Sequence, residues 1–322
     1  MSARKRALAM ERPLGKKSVW YTLSRDFDRN KALYLMVLPV LAFYIIFCYK
    51  PLFGIIIAFK NYSPGKSFFG SPWADNYGFQ HFINFFNDPF FPRLIRNTVL
   101  ISLYNLVFGF PAPILLAIMI NEVRCKALKR TVQTITYFPH FISTVVVCGL
   151  LTEFCLSDGL FSRIGQMFGA APKAFLQDAG LFRTIYTASG VWQGVGWGSI
   201  IYLAAIAGID QQLFEAAALD GAGRLRSIWH ITLPGIKTTI VIMFIMAVGN
   251  LMSVGSEKIL LLYNPATYET ADVISTYIYR RGLLEFSWSF STAVGLFNSV
   301  INFSLVLFAN YMSRKLTESS LF

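Results

Sequence analysis

The sequence predicts an all-α, polytopic membrane protein with six transmembrane helices. Of its 322 residues, 55% are hydrophobic and 14% charged, and the mean hydropathy is +0.51. Soluble domains carry more charge than this. Several apolar runs approach the length at which a helix crosses hydrocarbon. The short alternating segments of a transmembrane barrel do not appear. The even spread of the runs argues for one membrane domain, 32–312, between a basic tail, 1–31, and a short C-terminal tail, 313–322.

The formal net charge of +12 raises the question of nucleic acid. Its placement answers against it. Arg4, Lys5, Arg6, Arg12, Lys16, Lys17, Arg25, Arg29 and Lys31 all precede the first apolar run. A basic tail before a span marks the cytoplasmic side, whereas nucleic-acid binding needs a clustered basic face. Cys48, Cys125, Cys148 and Cys155 form no C-x-x-C pair, so neither a zinc site nor a disulfide framework is indicated. The first run shows no small-residue cleavage site and reads as a retained span.

Taken in order, the first span covers 32–49. Lys50 and Pro51 follow, and the chain stays apolar to Phe59. That length predicts a kinked or tilted helix. Residues 60–96 form an outer segment rich in Gly, Pro, Asn and Phe. The second span covers 97–120, and Pro111 and Pro113 predict a kink within it, because each removes an intrahelical hydrogen bond. A short basic inner segment leads to the third span, 141–156, and an outer segment, 157–184. The fourth span covers 185–207. Its Gly190, Gly194 and Gly198 recur every fourth residue, with Gly196 beside them, which favours close helix packing over substrate contact. The fifth span covers 234–254, an outer segment 256–288, and the sixth span 292–312.

Six spans place both termini on one side. The inner segments hold more Lys and Arg than the longer outer ones. This bias puts the termini and the segment 210–234 in the cytoplasm.

That segment reads DQQLFEAAALDGAGRLRSIWHITLP. Asp210 is suited to cap a helix. Leu213, Ala216, Ala217 and Leu219 or Asp220 then give it one small, partly apolar face. Gly221 tolerates positive φ and stops it. A second short helix runs through Arg224 to Ile231, and Pro234 opens the next apolar run in its first turn.

Glu215-Ala216-Ala217, then Gly221, then Ile231, Leu233 and Pro234 resemble, position for position, the signature loop of the membrane subunits of ATP-binding-cassette importers. The resemblance implies a cytoplasmic coupling-helix loop that docks on an ATPase. Glu215, Ala216, Ala217, Leu219, Asp220, Gly221 and Arg224 would couple to it, and Asp210, Ile231, Leu233 and Pro234 would shape the loop. A second stretch, Gly78-Phe79-Gln80-His81-Phe82, Asp88-Pro89 and Asn97-Thr98, resembles binding-protein-dependent sugar permeases, with His81 in place of the usual Asn and Phe79 in place of Leu. Residues 51–64, PLFGIIIAFKNYSP, resemble the subgroup that imports complex oligosaccharides and polysaccharide fragments. The implied location is a bacterial cytoplasmic membrane. The implied partners are a second homologous permease, two ATPase subunits, an extracytoplasmic solute-binding protein, an oligosaccharide and membrane lipid.

No reaction centre is legible. His81, His140 and His230 fall on different segments, and no H-E-x-x-H or G-x-S-x-G occurs. No G-x-x-x-x-G-K-[ST] loop is present to cradle ATP. The expectation is a non-catalytic subunit without a cofactor of its own, with ATP and Mg held by a partner ATPase. A translocation path needs polar groups inside the bundle. The candidates are Tyr104, Asn105, Ser143, Thr144, Trp192, Gln193, Asn250, Ser253, Asn298 and Asn302. Amides and aromatic rings suit sugars, although interhelical hydrogen bonding is the competing use. Glu153, Glu257 and Lys258 are expected at membrane interfaces. The alternative function is an ion-coupled secondary transporter or channel without an ATPase. Its inverted repeats and mid-membrane ionisable groups are not evident. A membrane enzyme on lipid-linked sugars would need a carboxylate or metal constellation, and the acidic residues are too scattered for one.

Overall fold

The computed structural model describes Phe27 and residues 29–317. Most of the expected basic tail, including Arg4 to Arg25, and positions 318–322 of the C-terminal tail lie outside the described residues. The chain forms two compact units, Met1–Ile56 and Ile57–Phe322.

In the first unit the helix α1 begins, within a helical run Lys31–Phe59. Its winding changes along its length, from α-helix over Lys31–Phe43 to π-helix over Tyr44–Tyr49, then an α-helical turn and a 3-10 stretch, Phe53–Phe59. These changes of winding follow Pro39 and surround Pro51, where the missing N–H groups interrupt the ladder. Leu35, Met36, Leu38 and Phe47 are exposed around the helix, as suits a helix that faces lipid.

The second unit is built from α2 (Gln80–Phe86), α3 (Phe91–Glu122), α4 (Lys126–Phe141), α5 (Thr144–Phe154), α6 (Leu160–Met167) and α7 (Phe182–Ala207). Then come α8 (Gln211–Leu219), α9 (Arg224–Gly235), α10 (Lys237–Gly249) and α11 (Ser256–Leu262). Last are α12 (Tyr268–Ala271), α13 (Ile274–Tyr279) and α14 (Trp288–Thr317). Among the described residues the only β pairing is an isolated bridge, Lys60 with Trp73. Among the described residues, helices α1, α3, α7 and α14 are long and apolar enough to cross a membrane, and two bent pairs bring the number to six if each pair is one span.

Those bent pairs depart from the expected third and fifth spans. The third is no straight helix over 141–156. An amphipathic α4 turns by 96° into α5. Pro139 lies in the 3-10 end of α4, and Ser143 Oγ accepts the Val146 N–H at 3.4 Å to start α5. The fifth span does not open at Pro234. Helix α9 carries Pro234 inside it, and the 63° bend comes at Ile236, whose φ and ψ of −100° and 7° are not helical. A π-helical stretch, Ile228–Thr232, precedes Pro234. The wider turn gives the proline ring room against the carbonyl four residues back. The same device replaces the kink expected in α3. Asn105–Gly109 is π-helical just before Pro111 and Pro113, and Phe110 N–H donates to the Asn105 carbonyl at 3.0 Å.

Three apolar cores hold the unit. One joins Ile101, Cys148, Phe182, Tyr186, Ile259 and Val273. A second joins Phe85, Leu94, Met252, Ile274, Tyr277 and Val294. The third joins Ile114, Ala117, Ile118, Tyr202, Ile206 and Ile236, with Ile209, Ile228 and Leu233 against it. Two glycines of α7 separate cleanly in role. A Cβ on Gly196 would lie 2.0 Å from the Thr136 carbonyl oxygen of α4, whereas one on Gly194 would meet nothing within 4 Å. Gly196→Ala should therefore destabilise the protein by at least the roughly 1–3 kcal/mol of core overpacking. Gly194→Ala should leave stability unchanged. Thermal unfolding of both variants in detergent checks this, and equal behaviour would remove the packing role of Gly196.

Candidate functional site

Where α3, α7 and the end of α10 face one another, they leave a cavity of about 510 Å³. This is within the range of small-molecule sites. The π-helical turn of α3 supplies Asn105, Leu106, Gly109 and Phe110. Helix α7 supplies Tyr186, Gly190, Gln193 and Gly194. Residues 250–255, between α10 and α11, are not helical and supply Asn250, Ser253 and Val254. Irregular backbone at membrane depth is tolerated where it lines such a cavity. Its polar groups are held in place: Leu251 C=O accepts from Ser102 Oγ, and Val254 C=O from Ser275 Oγ at 2.8 Å.

Four of the expected path residues line this cavity, namely Asn105, Gln193, Asn250 and Ser253. Gln193 Nε2 donates to the Ile142 carbonyl at 3.0 Å, and Asn250 Nδ2 to Met246 at 3.0 Å. Each amide oxygen therefore remains for a ligand. The other six, Thr144 among them, do not line it. Trp192 lines an apolar hollow with Leu150, Phe154 and Phe161. Tyr104 packs edge-on against Phe108 at 5.9 Å. Asn302 lies behind the wall, where its Oδ1 accepts the Met252 N–H at 2.9 Å and its Nδ2 donates to Ser253 Oγ at 2.8 Å. Asn298 Oδ1 is buried without a partner. Ser143 acts as the cap already described.

Sequence reasoning missed Ser102, Tyr186, Gly190, Gly194 and Lys258. Lys258 was expected at an interface. The break after α10 folds α11 back against α5 and α7, so the lysine reaches the cavity. Its Nζ donates to the Tyr186 carbonyl at 3.1 Å and lies 5.0 Å from the centre of the Tyr186 ring. Burial pushes the ammonium down from its ordinary 10.5 to about 8. Gly190 and Gly194 also correct an expectation. They open the α7 face toward the cavity, while Gly196 packs against Thr136 and Gly198 against Pro113.

The hairpin of α8 and α9 is the second feature. Asp210 Oδ1 accepts the Gln212 N–H at 3.0 Å and caps α8. Gly221 ends it with φ +73°. The Ala222 N–H then reaches the Ala217 carbonyl at 2.8 Å, and the Gly221 N–H the Ala218 carbonyl at 3.1 Å. These paired bonds are a Schellman stop. No residue of α8 is buried. Glu215, Ala216 and Asp220 are exposed, as is Arg224. Leu219 at its end is 90% exposed and Leu225 74%. The legs of the hairpin, in contrast, are anchored. Leu233 and Ile236 pack with Ile209 into the core shared by α3 and α7, and a Cβ on Gly235 would lie 2.7 Å from Ile209 Cδ1. Ile231 is half-buried and Pro234 exposed.

The Asp88, Asn97 and Thr98 of the second sequence motif form a lock between α3 and 269–280. Asn97 is fully buried. Its Nδ2 donates to the Glu269 and Asp272 carbonyls at 2.9 and 3.0 Å, and its Oδ1 accepts from Arg183 at 2.8 Å. Thr98 Oγ1 accepts the Ile274 N–H at 3.1 Å. Asp88 Oδ1 accepts the Phe90 N–H at 2.8 Å, and Asp88 Oδ2 accepts from the Tyr277 hydroxyl. His81 Nε2 lies 3.2 Å from the Lys60 carbonyl, His140 stacks on Trp197 at 4.6 Å, and His230 Nδ1 lies 2.9 Å from the Arg226 carbonyl. Among the described residues no three His, Cys, Asp or Glu side chains gather to hold a metal.

Residues 109–318 match the family described as the binding-protein-dependent transport system inner membrane component. The chain belongs to this family. That decides against the secondary transporter or channel. The permease is 42% identical to the protein LplB of Bacillus subtilis (strain 168), over 91% of this chain and 92% of that one. It is 41% identical to the polygalacturonan/rhamnogalacturonan transport system permease protein YteP of the same strain, over 100% and 99% of the two chains. Among solved structures it is similar to a bacterial ABC transporter involved in import of the acidic polysaccharide alginate, with 46% identity, TM-score 0.84, and 92% and 99% coverage. A second structure, of a bacterial alginate ABC transporter in complex with an alginate pentasaccharide-bound periplasmic protein, matches with 44% identity, TM-score 0.85, and 95% and 100% coverage. The permease is thus a membrane-spanning component of a binding-protein-dependent transport system.

Proposed function

We propose that this permease forms half of an ATP-driven import path for oligosaccharides, with uronate-bearing fragments as the substrate class. The observation that carries the reading is the union of two features through one core. The cavity lies between α3, α7 and the end of α10, and the legs of the exposed α8–α9 hairpin pack against the inner ends of α3 and α7. Interfaces of packed helices shift as units and do not deform smoothly. Displacement of α8 therefore reaches the cavity wall. The amide and hydroxyl groups of Asn105, Gln193, Asn250 and Ser253 suit sugar hydroxyls, and similarity to proteins named for alginate and polygalacturonan transport supports the uronate class.

In this reading the 210–234 hairpin and both termini are cytoplasmic, and α8 docks on an ATPase subunit that holds ATP and Mg. ATP binding closes an ATPase pair and draws together the coupling helices of this chain and a second, homologous permease. The cavity then opens outward to an extracytoplasmic solute-binding protein. No bond chemistry falls to this chain. Purification on a tag on this chain from mild detergent should recover a second permease and an ATPase, with hydrolysis stimulated by a sugar-loaded binding protein. A chain that purifies alone, and shows no sugar-dependent hydrolysis when the other subunits are supplied, overturns the reading.

A further inference from the structure

We infer that Lys258 is the group that reads the carboxylate of a uronate residue in the cavity, and so selects acidic over neutral oligosaccharides. This rests on the oligosaccharide reading above and assigns one residue to its specificity. Among the residues that line the cavity, Lys258 alone carries a charge; the rest are Ser, Asn, Gln, Gly, Pro, Tyr and apolar groups.

The contrast with other cations of the second unit is direct. Arg93 and Arg280 are paired with Asp272, Lys173 with Asp178, and Arg281 with Glu285. Lys60 is buried but gives its ammonium to the Phe69 and Ser71 carbonyls at 2.5 and 3.1 Å. Lys258 has no ion pair among the described residues, and its one hydrogen bond is to the Tyr186 carbonyl. An ammonium has three donors, so two remain. The titratable groups around it are the Cys148 thiol of α5, the Tyr186 phenol of α7 and, on its own helix, the exposed Glu257. None supplies a counter-charge at 4 Å or less. Gly190 makes the space: a Cβ there would sit 3.4 Å from the Lys258 Nζ.

A half-buried cation without a counter-ion is costly in low dielectric. A ligand carboxylate removes that cost and gains a charge-assisted hydrogen bond. A neutral hydroxyl does neither. One such contact, surrounded by amides, also keeps binding weak enough for release, as conduction through a path requires.

The test uses the whole importer, purified on this chain and reconstituted in vesicles with its binding protein. Uptake of labelled tetramannuronate and tetragalacturonate is measured for wild type, Lys258→Arg and Lys258→Met, from pH 6.5 to 9.5. The binding protein is common to all three, so its own selectivity cancels. Lys258→Met should raise KM about 10- to 100-fold, the loss of one charged hydrogen bond, and Lys258→Arg should stay within about threefold. The pH profile is the readout that a packing role would not move. Wild-type kcat/KM should fall as pH passes about 8, because the ammonium loses its charge there. The Arg variant should remain flat, since guanidinium keeps its charge. If Lys258→Met does not assemble, the wild-type and Arg profiles decide alone. Identical KM values or identical profiles across the variants overturn the inference and leave the oligosaccharide reading standing. Wild-type uptake of neutral maltotetraose but of neither uronate overturns the inference together with the uronate substrate class, and leaves oligosaccharide import standing. Uptake of no oligosaccharide overturns both.

Discussion

Glu215→Lys should abolish substrate uptake while the chain still inserts and folds. The side chain is exposed on α8, a helix with no buried residue, so nothing in the fold depends on its charge. Surface substitutions of this kind usually cost within about 0.5 kcal/mol. Loss of uptake must then come from what α8 touches outside this chain. Reversing a charge at a partner surface costs several kcal/mol through like-charge contact, enough to lower the coupled rate by at least about tenfold. Leu219, 90% exposed at the end of α8, makes the same argument from apolar surface. In the proposed docking, the exposed Leu213, Leu219 and Leu225 of the hairpin offer apolar surface to the partner. Gly221→Val tests shape instead of charge. At φ +73° a β-branched residue is strained by about 1–2 kcal/mol even though a Cβ would meet nothing within 4 Å. The Schellman stop should open and α8 should change its angle. Both variants are assayed for sugar uptake and for ATP hydrolysis by the purified assembly. The expected result is hydrolysis that persists without transport, or an ATPase that no longer co-purifies. Normal uptake by both variants at normal expression would sink the coupling role of the hairpin.

The hairpin was the most legible part of the chain, because its devices are local. A cap at Asp210 and a positive-φ glycine at 221 each act within a few residues. The long apolar helices were legible for the same reason, since length and composition suffice. The bends were not. Pro234 lies within α9 and the break falls two residues later at Ile236, because a π-helical turn absorbs the proline and the packing of Gly235 on Ile209 sets where the chain can turn. The cavity was half legible. Polar residues in apolar runs are easy to find, but an amide in a wall and one behind it look the same in sequence. Asn250 faces the cavity while Asn302 is committed to Met252 and Ser253. Lys258 looked like any outer-segment cation, because only the fold-back after residue 249 brings it inward. The Asp88, Asn97 and Thr98 motif was recognised without its reason, which lies in residues more than 150 positions away, on 269–277.

Asp272→Ala should be the most destabilising single change in the segment that follows α12. The carboxylate has no exposure at all, with Arg93 Nη2 at 3.1 Å and Arg280 Nη2 at 2.8 Å on Oδ2. Thr276 Oγ1 donates to Oδ1 at 2.8 Å and Arg280 Nη1 at 3.2 Å. Four donors thus converge on two oxygens, which is what allows a carboxylate to be buried. Removing it leaves two guanidinium groups facing each other without a counter-charge. Breaking a buried pair in this way costs about 3–5 kcal/mol. Because the two arginines are 29% and 26% exposed, water relieves part of this, and the lower end is the expected value. Asp272→Asn keeps the volume but not the charge, and should recover only the Thr276 bond. The triple variant Asp272→Leu, Arg93→Met, Arg280→Met should be more stable than Asp272→Ala, because no charge is left unpaired. Thermal unfolding of the detergent-solubilised chain separates the cases. If Asp272→Ala unfolds at the wild-type temperature, the network holds nothing. If the triple variant is as weak as the single one, the cost lies in packing and not in stranded charge. The carbonyls of Glu269 and Asp272 that Asn97 grips belong to the backbone and survive each substitution, so any loss measured is that of the ion cluster itself.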